Sequence, residues 1–83
     1  MKKTITSAEY TAFLRLLVEH RERAGLTQTQ LAERLGETQS FISKLERGER
    51  RVDVIEFLAL CEALYVSPID FLNALQKVIG GGR

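Results

Sequence analysis

Apolar residues recur along this chain at intervals of three and four in five separate stretches, the spacing of helices that bury one face. The first stretch, Tyr10, Phe13, Leu14, Leu17, Val18 and Ala24, predicts a long helix. It begins at a cap formed by Thr6 with Glu9, or by Ser7 alone, and stops at Gly25. Residues 1–5 read as a frayed lead-in. A second helix carries Leu31, Ala32 and Leu35; Thr27 opens it by a capping box with Gln30, and Gly36 supplies the left-handed residue that a short turn requires. A third follows the cap Thr38, buries Phe41, Ile42 and Leu45, and ends at Gly48. The fourth opens with a second capping box, Asp53 with Glu56, and carries Val54, Ile55, Phe57, Leu58, Cys61 and Leu64. As the most apolar of the five it is expected to back the others at the centre of the core. Ser67 then caps a last helix with Pro68 at its first position, and Ile69, Phe71, Leu72, Leu75, Val78 and Ile79 run along it towards the closing GGGR. That stripe is wider than a small core needs, which leaves part of it for a partner.

The polar side of the second and third helices carries the candidate chemistry. Two helices separated by a three- or four-residue turn containing Gly form the helix-turn-helix unit, whose second helix can lie in the DNA major groove. Opposite the inward stripe of that second helix stand Gln39, Ser40, Ser43 and Lys44, a hydrogen-bonding set almost free of acid. Gln pairs with adenine in two bonds, Lys donates to guanine and Ser fits several bases, so Gln39, Ser40 and Lys44 make one reading edge. Phosphate contacts want donors at helix N-termini and in basic loops; Arg50 and Arg51 are the natural clamp, with Thr38 and Arg23 as weaker candidates.

The run LTQTQLAERLGETQSFISKLERG, continued by ERRVDVIEFLALCEAL, resembles the Cro/CI-type repressors, the XRE family of bacterial and phage regulators. The resemblance spans residues 13–72, with GLTQ, LAERLG and QSFISKLERG in the family order. It implies an all-α, five-helix, lambda-repressor-like DNA-binding domain over residues 1–83, with the motif at 27–47, an extended first helix and a last helix at 68–79 suited to dimerisation. It also implies base contacts from Gln39, Ser40, Ser43 and Lys44, a phosphate contact from Gln28, and a structural ion pair between Arg21 and Glu46. Residues 7–12 extend beyond the family pattern, so Tyr10 is expected to make a contact that the minimal domain lacks. Two departures stand out. Tyr65 occupies a place near the end of the fourth helix where relatives often carry Gly, so either it adopts a left-handed conformation or the helix ends differently. Glu37 stands in the turn where an apolar residue is usual, and its charge repels phosphate unless it accepts from cytosine or pairs with an Arg such as Arg34.

Length and charge add limits. At 83 residues the chain makes one small domain, and 45% hydrophobic with 28% charged residues suits a packed core rather than disorder. The formal charge of +1 says little, but its distribution does: residues 20–51 hold seven Arg or Lys against five Glu, and residues 52–83 hold two against four acids. Cys61 is the sole cysteine, no Cys/His cluster has ligand spacing, and no nucleophile constellation is present. The expectation is a protein with no metal, no cofactor and no catalytic residue. Polar residues follow Lys2 and Lys3 where a signal peptide needs an apolar core, which points to the cytoplasm and away from a membrane. His20 reads as a surface residue and Cys61 as core.

One small helix in a groove makes few base contacts, and two half-sites about 34 Å apart double them. The expected assembly is a homodimer on an inverted repeat of double-stranded DNA, joined through Ile69, Leu72, Leu75, Val78 and Ile79, with Tyr10 and Phe13 as further contributors. The rival reading is an antitoxin-like regulator whose last helix binds a protein partner.

Overall fold

A computed structural model describes residues 7–80. They form five helices: α1 (Ser7–Arg23), α2 (Gln28–Leu35), α3 (Gln39–Glu46), α4 (Val54–Ala63) and α5 (Pro68–Ile79). Among the described residues there is no strand. The lead-in, the α1 cap at Thr6 or at the Ser7 side chain, and the glycine-rich end beyond Gly80 lie outside the described residues.

Local signals set the boundaries. Gln30 N–H donates to Thr27 Oγ1 at 3.1 Å while Thr27 N–H donates to Gln30 Oε1 at 2.9 Å, so two of the donors left open at the start of α2 are satisfied. Asp53 and Glu56 do the same for α4 at 2.7 and 3.0 Å. Thr38 accepts from Phe41 N–H at 3.1 Å, and Ser67 accepts from Asp70 N–H at 3.4 Å beside Pro68. Gly36 turns the chain between α2 and α3 at φ 70°, where a Cβ would be strained.

The core takes one stripe from every helix. Leu14, Leu16 and Leu17 of α1, Leu31 and Ala32 of α2, Ile42 and Leu45 of α3, Phe57, Leu60 and Cys61 of α4, and Phe71 of α5 are all buried. Phe71 is the hub: its ring meets Phe57 edge-on at 5.1 Å and Phe13 at 5.8 Å. Ala32, with almost no exposed surface, is the small residue that the close crossing of α2 and α3 requires. The sequence pattern misses Leu16, which is buried beside Leu17.

Two expectations change at α4. This helix is not apolar because it is surrounded. Phe57, Leu60, Cys61 and Leu64 form its inward stripe at spacings of three, one and three, while Val54 and Ile55 are 71% and 73% exposed and Leu58 is also exposed. Only the side of α4 that meets α2 and α5 is covered, so the remaining apolar side chains face outward. At its end, the open alternative for Tyr65 resolves as a left-handed residue, φ 58°. Tyr65 N–H donates to Glu62 O and Val66 N–H to Cys61 O, the pair of bonds that normally recruits Gly at this place. Arg34 offsets part of the cost of about 1–2 kcal/mol: its guanidinium lies 4.7 Å over the Tyr65 ring and donates to Ala63 O at 2.8 Å.

Candidate nucleic-acid interface

The outward face of α3 is built by the turn before it. Gly36 and the Thr38 cap set the entry of α3, so Gln39 and Ser40 emerge at its first turn and Lys44 one turn later, all exposed. Ser43 is half-buried and accepts a hydrogen bond from Arg47. Glu46, three residues on, faces inward, and there the ion pair expected with Arg21 is present: Arg21 Nε donates to Glu46 Oε2 at 2.7 Å and Nη2 to Oε1 at 3.2 Å. The two side chains are 12% and 8% exposed. Arg21 Nη1 also donates to Leu26 O at 2.8 Å, which ties α1, the loop before α2 and α3 into one unit.

The network continues outward. Gln28 Nε2 donates to Glu46 Oε1 at 2.8 Å, and Gln39 Nε2 donates to Gln28 Oε1 at 2.7 Å. The buried carboxylate therefore orients Gln28, which orients Gln39. Gln39 keeps its own carbonyl oxygen and one N–H, the acceptor and donor that adenine N6 and N7 demand together. Fixing the amide before contact lowers the rotamer entropy lost on binding. Gln28 is half-buried and retains one side-chain N–H and its backbone N–H at the start of α2, donors of the kind that anions accept at a helix N-terminus. Sequence reasoning names all four residues and the Arg21–Glu46 pair but not its extension through Gln28 to Gln39, since no local pattern marks a contact between residues 28 and 39.

The expected phosphate clamps sort differently from one another. Arg50 holds Glu56 in a two-pronged pair at 3.0 and 2.7 Å, donates to Arg51 O, and lies 4.4 Å over the Phe41 ring. That hydrogen-bonded pair raises the Arg50 pKa and lowers that of Glu56. Arg51 lies 4.3 Å over the Tyr10 ring, and among the described residues no carboxylate pairs with its guanidinium. Arg23 is exposed and loosely paired with Glu19 at 3.8 Å, and Thr38 Oγ1 accepts from Phe41 N–H, which leaves its hydroxyl proton unused. Arg47 pairs with Glu49 at 2.8 Å, and this bond holds the Glu49 carboxyl below its ordinary value. Glu37 makes no bond to Arg34, which faces Ala63 and Tyr65 instead. Glu37 and Glu56 line an open depression with Leu35, Phe41, Leu45, Ala59 and Leu60, a lining that disfavours phosphate.

Two lone residues contribute no site. Cys61 is buried, and burial pushes its thiol pKa up. His20 stacks 5.4 Å from Phe71, and its pKa is lowered, first by burial and then by Arg23, with Glu19 opposing. Among the described residues no three His, Cys, Asp or Glu side chains gather as metal ligands, and no helix is long and apolar enough to cross a membrane.

Known proteins match this geometry along most of the chain. The family model described as helix-turn-helix matches residues 17–71. An uncharacterized HTH-type transcriptional regulator of Sinorhizobium fredii is 36% identical over 63 residues, 76% of this chain and 82% of that protein. Another, of Methanothermobacter thermautotrophicus, is 43% identical over 62 residues, covering 75% of this chain and 90% of that protein. Among solved structures, an XRE-family like protein from Pseudomonas syringae superposes with a TM-score of 0.84 at 49% identity, over 93% of this chain and 94% of the other. A mutant of the restriction-modification controller protein C.Esp1396I gives 0.81 at 27% identity, over 90% and 95%. The motif, the five-helix fold around it and these likenesses agree: the chain belongs to the helix-turn-helix transcriptional regulators of the XRE type.

Proposed function

We propose that this chain is a sequence-specific DNA-binding regulator that works as a homodimer on an inverted-repeat operator and controls its own gene. One observation carries the reading. Gln39 stands at the head of α3 with its amide fixed through Gln28 by a buried ion pair, leaving a donor and an acceptor for one base. Ser40, Ser43 and Lys44 complete the base-reading set, with Ser43 exchanging its bond to Arg47 for one to DNA. Gln28, Thr38, Arg23 and Arg51 hold phosphates, and Arg50 joins them by exchanging Glu56. The whole chain acts as one unit in the cell interior, the motif reading and the last helix joining.

The dimer seam lies on α5. Ile69, Leu72, Val78 and Ile79 are exposed there, whereas Leu75 is partly buried against the core and contributes less. Val54, Ile55, Leu58 and Tyr65 add exposed apolar surface that the sequence reading assigned inward or left open. The similarity to a restriction-modification controller protein supports the regulator reading. The same exposed apolar side chains would serve an antitoxin-like protein that binds a partner protein.

The test is a footprinting titration on duplex DNA from upstream of the gene, at about 0.15 M salt with excess competitor. The expected result is a competitor-resistant footprint over two half-sites about one helical turn apart. Weak binding, equal on every fragment and highly sensitive to salt, would refute the specific regulator and favour the partner-binding protein.

A further inference from the structure

We infer that Tyr10 is a positioning residue for DNA binding: it holds the loop between α3 and α4 and presents Arg51 to a phosphate. The inference rests on the DNA-binding reading and adds a residue from the first turn of α1 to it.

Tyr10 meets the loop at two successive residues. Its hydroxyl accepts from Val52 N–H at 3.1 Å, and its ring lies 4.3 Å beneath the Arg51 guanidinium. The ring is rooted rather than free, because it packs on Phe13 at 5.6 Å and Phe13 packs on Phe57 and Phe71 in the core. A loop carrying three arginines near the end of α3 is thus tied to the first turn of α1 through this phenol. The bond to Val52 also satisfies a backbone donor at the place where the chain turns into α4.

The chemistry of stacking decides what Arg51 can do. A guanidinium over an aromatic face uses its flat side, and its five N–H donors lie in the plane and stay available to a phosphate. A carboxylate partner would take those same donors, as Glu56 takes them from Arg50 and Glu49 from Arg47. Arg50 also lies over a ring, that of Phe41, but Glu56 takes its donors; of the three arginines in this loop, Arg51 combines an aromatic platform, which orders the side chain, with donors that no carboxylate takes among the described residues. Phosphate clamps gain from such ordering because less side-chain entropy remains to be lost on contact.

The test is a double-mutant cycle on Tyr10 and Arg51, with binding measured to the duplex that the wild-type protein recovers from a random-sequence DNA pool. A cation–π contact at an exposed site corresponds to about a two- to five-fold effect, so Tyr10→Leu should weaken binding by that factor. Tyr10→Leu should leave the salt slope unchanged, because Arg51 still reaches the phosphate, whereas Arg51→Ala should lower the slope by about one unit. In the Arg51→Ala background, Tyr10→Leu should have a much smaller further effect, what remains coming from the lost bond to Val52. Tyr10→Phe, which keeps the ring and loses the hydroxyl, should restore most of the affinity. Circular dichroism at the assay temperature keeps each variant's folded fraction in the comparison.

An equal loss from Tyr10→Leu in both backgrounds would overturn the inference and leave Tyr10 a packing residue. Tighter binding by Tyr10→Leu would overturn it as well, since the ring would then compete with phosphate for Arg51. If the wild-type protein recovers no duplex from the pool, the DNA-binding reading itself fails and this inference falls with it; recovery without coupling removes the inference alone.

Discussion

Replacing Glu46 with alanine probes the link between fold and reading edge. The carboxylate accepts two bonds from Arg21 and one from Gln28, and its side chain is only 8% exposed. Its loss leaves the Arg21 guanidinium, 12% exposed, with Leu26 O as its one partner in the network. Breaking a buried pair from one side costs about 3–5 kcal/mol; the retained carbonyl bond and the residual exposure place this case near the lower end, at about 3 kcal/mol. A domain of this size has on the order of 4–12 kcal/mol in total, so the variant should remain folded at low temperature with its Tm lowered by roughly 12–24 °C. Urea unfolding should show a lower midpoint with an unchanged slope. Replacing both partners with apolar residues, as in Arg21→Met with Glu46→Leu, should recover much of the stability, because no charge is then buried alone. DNA binding should not recover in the double variant, since Gln28 has lost the acceptor that orients it and Gln39 swings free. A Glu46→Ala protein within about 0.5 kcal/mol of wild type would refute the stability reasoning. Full DNA affinity in the double variant would refute the link from Glu46 to Gln39.

Further expectations follow from the α5 surface and from His20. Leu72→Glu combined with Ile69→Glu should cost little stability, as both side chains are exposed, yet give a monomer by sedimentation that protects only one half-site; a persistent dimer would move the seam off these residues. His20 has a pKa lowered from 6.5, first by burial, so the fold favours its neutral form. Its contribution is complete above pH 6.5 and is lost as pH falls through 6.5 towards the folded value. Urea midpoints should therefore drop between pH 7.5 and 5.5, and His20→Gln should flatten that dependence; an identical pH slope in the variant would show that another group titrates.

Much of this was legible in the sequence because the helix boundaries are set locally. Thr27 with Gln30, Asp53 with Glu56, Thr38, Ser67 with Pro68, and Gly36 each fix a terminus through atoms a few residues away. The side chains at 39, 40 and 44 point outward for the same reason, once α3 is placed. Surroundings were harder to read than boundaries. Whether Val54 and Ile55 are covered depends on how many helices flank α4, which periodicity does not encode, and an apolar helix reads as buried in either case. The partners of Arg51 and Arg34 are likewise set by distant contacts, Tyr10 for Arg51 and Ala63 O for Arg34. Tyr65 was legible only as a question, because the choice between strain and a different helix end rests on what Arg34 supplies from α2.

The most direct test of the account measures Gln39→Ala against wild type on the recovered operator and on a panel of duplexes changed at one base pair at a time. The account predicts a loss of about 1–3 kcal/mol on the operator and a loss of discrimination at a single base pair in each half-site, with the other positions still distinguished. A uniform loss across the whole panel, with the preference at every position intact, would contradict it and leave Gln39 an ordinary exposed side chain.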